Sequence, residues 1–206
     1  MAATTKFNRI AQVFMIKIGD PITITNNVIN AGKIIDSKEQ IENYVNRALE
    51  TFFYTKWTEF GGDVKKFANF FPELVIPQVN GTLGAGICSV EAFKNLFQLF
   101  GLRVDNKYVR IWDMSVYSIA KSGKRIQYIG SADDPGAILV GDEIQFFGAE
   151  DSSNVDMEYI IKPIREDGTA FVSSNDAEDS PYNEFWTEQI AQIAADLYNK
   201  DAQNFT

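Results

Sequence analysis

Apolar residues recur every three or four positions across Ile41, Tyr44, Val45, Ala48, Leu49, Phe52 and Phe53. That spacing lays a broad apolar stripe along one side of an α-helix. Just ahead of it, Ser37-Lys38-Glu39-Gln40 has the form of a capping box, in which hydroxyl and amide side chains satisfy opposite orphan backbone donors. A helix is therefore predicted from Ser37 to about Trp57. Gly61-Gly62 ends it, and Asp63 caps a second helix carrying Val64, Phe67, Phe70 and Phe71, which Pro72 closes. A third helix is expected from the cap Ser89 to Gly101, with Val90, Phe93, Leu96, Phe97 and Phe100 as its stripe. Leu99 makes it apolar on most sides, the mark of a buried helix.

The first twenty residues fit two periods at once. Phe7, Ile10 and Phe14 suit a helix, while Phe14, Ile16 and Ile18 suit a strand. Asp20-Pro21 then breaks any helix, Ile22 to Thr25 alternates as a short strand, and Asn26-Asn27 is turn chemistry. Leu74 to Val79 is a further possible strand, interrupted by Pro77. From Lys107 the period changes to two. Tyr108 to Ile119, Arg125 to Ile129, Ala137 to Val140, Glu143 to Phe147 and Val155 to Ile161 read as strands, with a hairpin turn at Lys121-Ser122-Gly123-Lys124. Glu166-Asp167-Gly168 turns the chain into Ala170 to Ser173. Ser180 is expected to cap a last amphipathic helix with Pro181 at its first position. Helices, then strands, then a helix predict an α+β fold: N-terminal helices, a central antiparallel β-meander or small barrel, and a C-terminal helix. Length suits one domain over residues 1–206, with residues 1–20 and 199–206 as extended arms.

Composition narrows the chemistry. Histidine is absent from all 206 positions. That excludes Ser-His-Asp and Cys-His catalysis, HExxH sites and histidine-based metal centres. Neither a metal nor a cofactor is expected. The single cysteine, Cys88, has no histidine to activate it and forms no intrachain disulfide, so it reads as a small buried thiol, which suits a reducing cytosol. Gly84-Ala85-Gly86 begins like a dinucleotide loop, but the third glycine is missing and no Lys-Ser or Lys-Thr follows, so a close-packing loop is the better reading. Acidic pairs at Asp133-Asp134, Asp142-Glu143 and Glu150-Asp151, and the cluster from Asp176 to Asp179, sit beside turn residues and read as solvated turns.

A net charge of −9 repels phosphate backbones, so no sequence-specific nucleic-acid binding is expected. It remains compatible with lining a path along which DNA slides. No stretch approaches the roughly 18 apolar residues that span a bilayer, so no membrane partner is expected. Sixteen Phe, eight Tyr and three Trp are a surplus that serves either a core or an interface; the run Phe52-Phe53-Tyr54 with Trp57 is chiefly core but occupies more than one face of its helix. Some of these rings are expected to meet another subunit. Phe14, Tyr54, Trp57, Trp186 and Tyr198, with the basic knot Lys121, Lys124 and Arg125, are the candidate interface residues.

Residues 37–74, SKEQIENYVNRALETFFYTKWTEFGGDVKKFANFFPEL, resemble helical regions of small virion proteins in the neck of tailed bacteriophages, the crAss-like phages among them. The resemblance spans about a fifth of the chain and carries no diagnostic motif, so it transfers no functional residue. It implies a non-enzymatic ring or connector subunit in the virion, partnered by its own copies and by portal or tail proteins. Two other classes compete with it: a histidine-independent carboxylate hydrolase of cell-wall glycan, and a cytosolic regulatory binding module.

Overall fold

The computed structural model describes residues 5–90, 93–113, 115, 131, 133–141, 143–151, 153–174 and 179–204. The fold is α+β, with four α-helices and three open sheets among the described residues and no closed barrel there. By internal contacts the chain divides into two compact units, Met1–Leu74 with Lys162–Thr206, and Val75–Ile161. This is a finer division than the one domain that length suggests.

In the first unit the ambiguous N-terminus resolves as helix α1, Lys6–Lys17. Phe7, Ile10, Ala11, Phe14 and Met15 are buried, so residues 6–17 are a packed element and not an extended arm. Its start is fixed twice. Thr5 Oγ1 accepts from the Asn8 N–H at 3.3 Å, and the Asp179 carboxylate accepts from the N–H groups of Lys6 and Phe7 at 3.0 and 2.9 Å. Asp179, read from sequence as part of a solvated turn, is thus a helix cap supplied from far along the chain.

Asn26 and Asn27 have φ of 51° and 58°, the left-handed pair that a two-residue hairpin turn needs, and join β1, Ile24–Thr25, to β2, Val28–Ile29. Helix α2 runs over Lys38–Glu59 and α3 over Val64–Phe70, both close to expectation. Ser37 Oγ accepts from the Gln40 N–H at 3.4 Å, and Asp63 Oδ1 accepts from the N–H groups of Lys65 and Lys66, both at 3.1 Å.

The last helix, α4, spans Thr187–Gln203 and starts later than Ser180-Pro181 predicts. A short 3-10 turn, Glu184–Trp186, precedes it, and Asn183 caps that turn by accepting from the Phe185 N–H at 3.1 Å. The Ser180 hydroxyl is buried and caps nothing. α4 continues through Gln203, so most of the expected C-terminal arm is helical. Helices α1, α2 and α4 pack against one another. Residues 170–173 form no strand: Asn46 and Glu42 on α2 hold this segment by side-chain hydrogen bonds.

Asp20, expected only to break a helix, is buried and organises a turn. Its carboxylate accepts from the N–H groups of Lys33, Ile34 and Ile35 at 2.8, 2.6 and 3.1 Å. A side chain at Gly32 would run into this carboxylate. The Lys33 N–H first, with those of Ile34 and Ile35, holds the Asp20 carboxyl below its ordinary value. A lowered folded value means that stabilisation by Asp20 is complete above the unfolded pKa and is lost as pH falls through the folded one. In acid titrations followed by circular dichroism, Asp20→Asn is therefore expected to be less stable than the parent at neutral pH. The difference should shrink as the pH drops below about 3.9. A constant difference over that range would remove Asp20 from the acid transition.

The second unit contains β3 (Val75–Thr82), β4 (Ile87–Ser89), β5 (Leu96–Val104), β6 (Lys107–Tyr108), β7 (Arg110–Ile111), β8 (Gly136–Val140), β9 (Glu143–Phe147) and β10 (Asn154–Ile161). One sheet has the order β3-β10-β5-β6 and is antiparallel throughout; the other has the order β4-β9-β8-β7, with β7 and β8 parallel. The helix expected over 89–101 is replaced by β5. A dense apolar run satisfies either period, and here pairing decides: Leu96 to Val104 finds partners along β10 on one side and β6 on the other.

Pro77 is tolerated because β3 lies at a sheet edge, where one residue's missing N–H breaks no ladder. The glycine-rich stretch leads into strand β4, not a helix. Ala85 and Gly86, with φ of 52° and 73°, make a tight turn closed by the Gly84–Ile87 pair of hydrogen bonds. Beyond Ile111, residues 116–119 of the expected strand, the Lys121–Lys124 turn and the strand Arg125–Ile129 lie outside the described residues.

Candidate interaction surface

Helix α2 must stop where Gly61 and Gly62 take φ of 64° and 71°, which reverses the chain and sets α3 against the end of α2. Only Phe67 of α3 is buried. Phe70 and Phe71 are adjacent, and a helix cannot send both inward: Phe71 is buried and Phe70 is 51% exposed. The same conflict recurs at Phe185-Trp186, where Trp186 is half-buried and Phe185 is 79% exposed.

These rings form one surface. Phe60 and Phe70 are 5.1 Å apart, Phe70 and Trp186 5.7 Å, and Phe185 and Trp186 4.9 Å, the last edge to face. Beneath them Phe71 and Phe52 approach Trp186 at 5.4 and 5.3 Å. The display is held in place: the Asn183 N–H donates to Glu73 Oε1 at 3.3 Å, tying the turn that carries Phe185 to the turn that follows α3. Exposed rings in contact with one another are costly in water, which makes this cluster the candidate interaction surface.

Charges around the rings are mixed. Lys56 pairs with Glu59 at 2.8 Å and Lys66 with Asp63 at 3.4 Å. Tyr182 lies under the surface, its ring 5.1 Å from Phe52, and burial, reinforced by the charge of Glu73, pushes its phenol well above the ordinary tyrosine range.

The residues expected at an interface are distributed unevenly. Phe14 is fully buried and belongs to the helical core. Tyr198 is half-buried in a separate ring group, 6.5 Å from Phe14 and 5.7 Å from Tyr44. Trp57 packs on Phe67 at 5.2 Å, which places it in the same network as Phe60 and Phe71. Tyr54 is 43% exposed, 5.4 Å from Phe53, beside a shallow depression with Thr55, Thr58 and Glu59. Trp186 sits at the centre of the exposed surface. Lys121, Lys124 and Arg125 lie outside the described residues. Phe70, expected on the stripe of the second helix, and Phe185 are the most exposed rings of this cluster.

The acidic clusters are engaged structurally. Asp133 meets Lys107 at 3.3 Å, Asp134 meets Arg110 at 3.0 Å, and Asp151 Oδ1 accepts from the Gly86 N–H at 2.8 Å. Asp142 and residues 176–178 lie outside the described residues. Among the described residues no three acidic or cysteine side chains are grouped to hold a metal ion, and no helix is long and apolar enough to cross a membrane. Cys88 is buried against Gly81 in β4, and burial pushes its thiol up. No family model matches the sequence, and no curated protein is similar to it.

Proposed function

We propose that this chain is a non-enzymatic structural subunit of a tailed-phage particle, forming an oligomeric ring or adaptor in the portal-to-tail region through which DNA passes. The observation that carries the reading is the pair of exposed rings, Phe70 and Phe185, held in a fixed aromatic surface around Trp186. Aromatic anchors of this kind dominate protein–protein interfaces. The resemblance of residues 37–74 to neck proteins supplies the setting. The net charge of −9 suits a passage that DNA traverses without sticking. The partners are copies of the chain and neighbouring portal or tail proteins.

Native mass spectrometry of the purified protein, alone and with candidate portal and tail proteins, tests this. A discrete oligomer is expected, formed either alone or on the partner. Phe185→Ser should abolish that assembly while changing the stability of the free chain by no more than about 0.5 kcal/mol, as for an exposed position. A monomer that ignores every partner would overturn the reading.

A further inference from the structure

β3 ends its sheet, paired with β10 on one side and with no strand on the other among the described residues. The register decides which of its backbone groups face that open side. Asn154 of β10 stands opposite Thr82 and turns both of its backbone groups toward β5: its carbonyl accepts from the Asp105 N–H, and its N–H donates to Asp105 Oδ1, each at 3.0 Å. One residue on, the Leu83 N–H donates to the Ser153 carbonyl at 3.1 Å. In an antiparallel ladder, opposed residues alternate between exchanging hydrogen bonds and turning away from each other. Thr82 and, two residues back, Asn80 therefore point their N–H and C=O groups out of the sheet. Among the described residues these groups have no partner.

An open edge is a template for another strand, and proteins guard such edges with lysines, prolines and bulges. Here the guards stand at one end only. Pro77 lacks an N–H, and Pro77-Gln78 together face Glu158 in a bulge. Beyond them Val79-Asn80-Gly81-Thr82 carries neither a charge nor a proline, and Asn80 and Thr82 are exposed. In a chain of net charge −9, an uncharged strand is a place where two copies meet without repulsion.

The free groups fit a second copy of the same strand. Asn80 and Thr82 flank Gly81, so an antiparallel copy related by a two-fold axis through Gly81 sets each Asn80 against the other's Thr82. Every outward N–H and C=O of these residues then finds a partner. The amide of Asn80 and the hydroxyl of Thr82 also come face to face on the exposed side, where such pairs stabilise a sheet. The same register sets Pro77 opposite Ala85 of the other copy. Ala85, with φ of 52°, has already left the strand for the turn, so the missing N–H of Pro77 forfeits no bond. An unrelated strand offers no such match between the guard on one chain and the turn on the other.

We propose that β3 pairs with β3 of a second copy, antiparallel about Gly81, in an isologous contact. The contact uses the unit Val75–Ile161 alone and does not rest on the aromatic surface, whose residues belong to the other unit. The test uses the full chain carrying Phe185→Ser, which removes the aromatic contact, and Cys88→Ala, which removes the native thiol. Analytical ultracentrifugation is expected to show a concentration-dependent dimer. Thr82→Pro removes an outward N–H and no bond within its own sheet, and should weaken dimerisation about tenfold or more. Asn80→Cys and Thr82→Cys, mixed and oxidised, should join in a disulfide, because Cα atoms of a hydrogen-bonded pair lie about 5.5 Å apart. Neither variant should cross-link with itself, since equal positions are offset along the strands beyond a disulfide's reach of about 7 Å. Thermal melts of the variants verify folding. A chain that stays monomeric up to about 1 mM, leaving the edge to a strand of another protein or to none, overturns the proposal. So does a dimer indifferent to Thr82→Pro, or cross-linking of either cysteine variant with itself.

Discussion

Replacing Phe67 with alanine is expected to lower the stability of the helical unit by about 3–5 kcal/mol. Its ring is fully buried and lies between 5.0 and 6.1 Å from those of Phe53, Trp57, Phe60 and Phe71. Truncation removes the transfer energy of a phenyl group and the edge-to-face contacts, and leaves a space that four large rings cannot readily fill. The position also matters for a topological reason. α3 has seven residues, too few to be stable alone, and Phe67 is its one buried residue. The variant thus unpins the helix that carries Phe70, and with it one edge of the exposed aromatic surface. Urea unfolding followed by tryptophan fluorescence measures the loss. Phe67→Leu, which keeps most of the volume, should cost roughly 1–2 kcal/mol. If the alanine variant lost less than about 1 kcal/mol, α3 would not be anchored by this ring.

The same residues explain what could be read from the chain and what could not. α2 and α3 were legible because their signals are local: Ser37 and Asp63 cap in sequence neighbourhood, and the apolar stripe needs no partner to be recognised. β5 was not, since Phe93 to Phe100 is apolar enough to satisfy a helix, and only pairing with β10, some sixty residues further on, decides for a strand. The N-terminal segment was undecided for a similar reason. Its helical start is capped by Asp179, separated from Lys6 by 173 positions.

The aromatic surface was half legible. An excess of rings announces that some remain outside, but Phe14 is not one of them, since it is fully buried beside Tyr44 and Tyr198. The better signal was adjacency: in Phe70-Phe71 and in Phe185-Trp186 two large neighbours cannot both face inward. Side-chain neighbours across the sheet β3-β10-β5-β6 are not legible in the sequence. Asn80, Asp156, Arg103 and Tyr108 become neighbours only through the registers of three strand pairs.

Truncating Glu42 to alanine should be the second costly change, at about 3 kcal/mol, because it leaves two donors of Ser173 without their acceptor. Glu42 is nearly buried, and its Oε1 accepts from both the N–H and the hydroxyl of Ser173, each at 2.7 Å. Ser173 Oγ in turn accepts from the Ile29 N–H at 3.1 Å, so the chain of hydrogen bonds runs from β2 through Ser173 to α2. One turn further along α2, Asn46 accepts from the Phe171 N–H at 3.0 Å and donates to the Phe171 carbonyl at 2.8 Å. The helix therefore offers residues 171–173 a side-chain substitute for the strand partner they lack. Two explanations for a loss at Glu42 can be separated. Lys38 is 3.6 Å away, but a partly exposed pair of that kind contributes at most about 1 kcal/mol. Lys38→Ala should accordingly change stability by less than about 0.5 kcal/mol. Glu42→Gln keeps an acceptor in place without the charge and should cost about 1 kcal/mol. If Glu42→Gln instead cost as much as Glu42→Ala, the charge and not the acceptor geometry would be holding residues 171–173 to the helix.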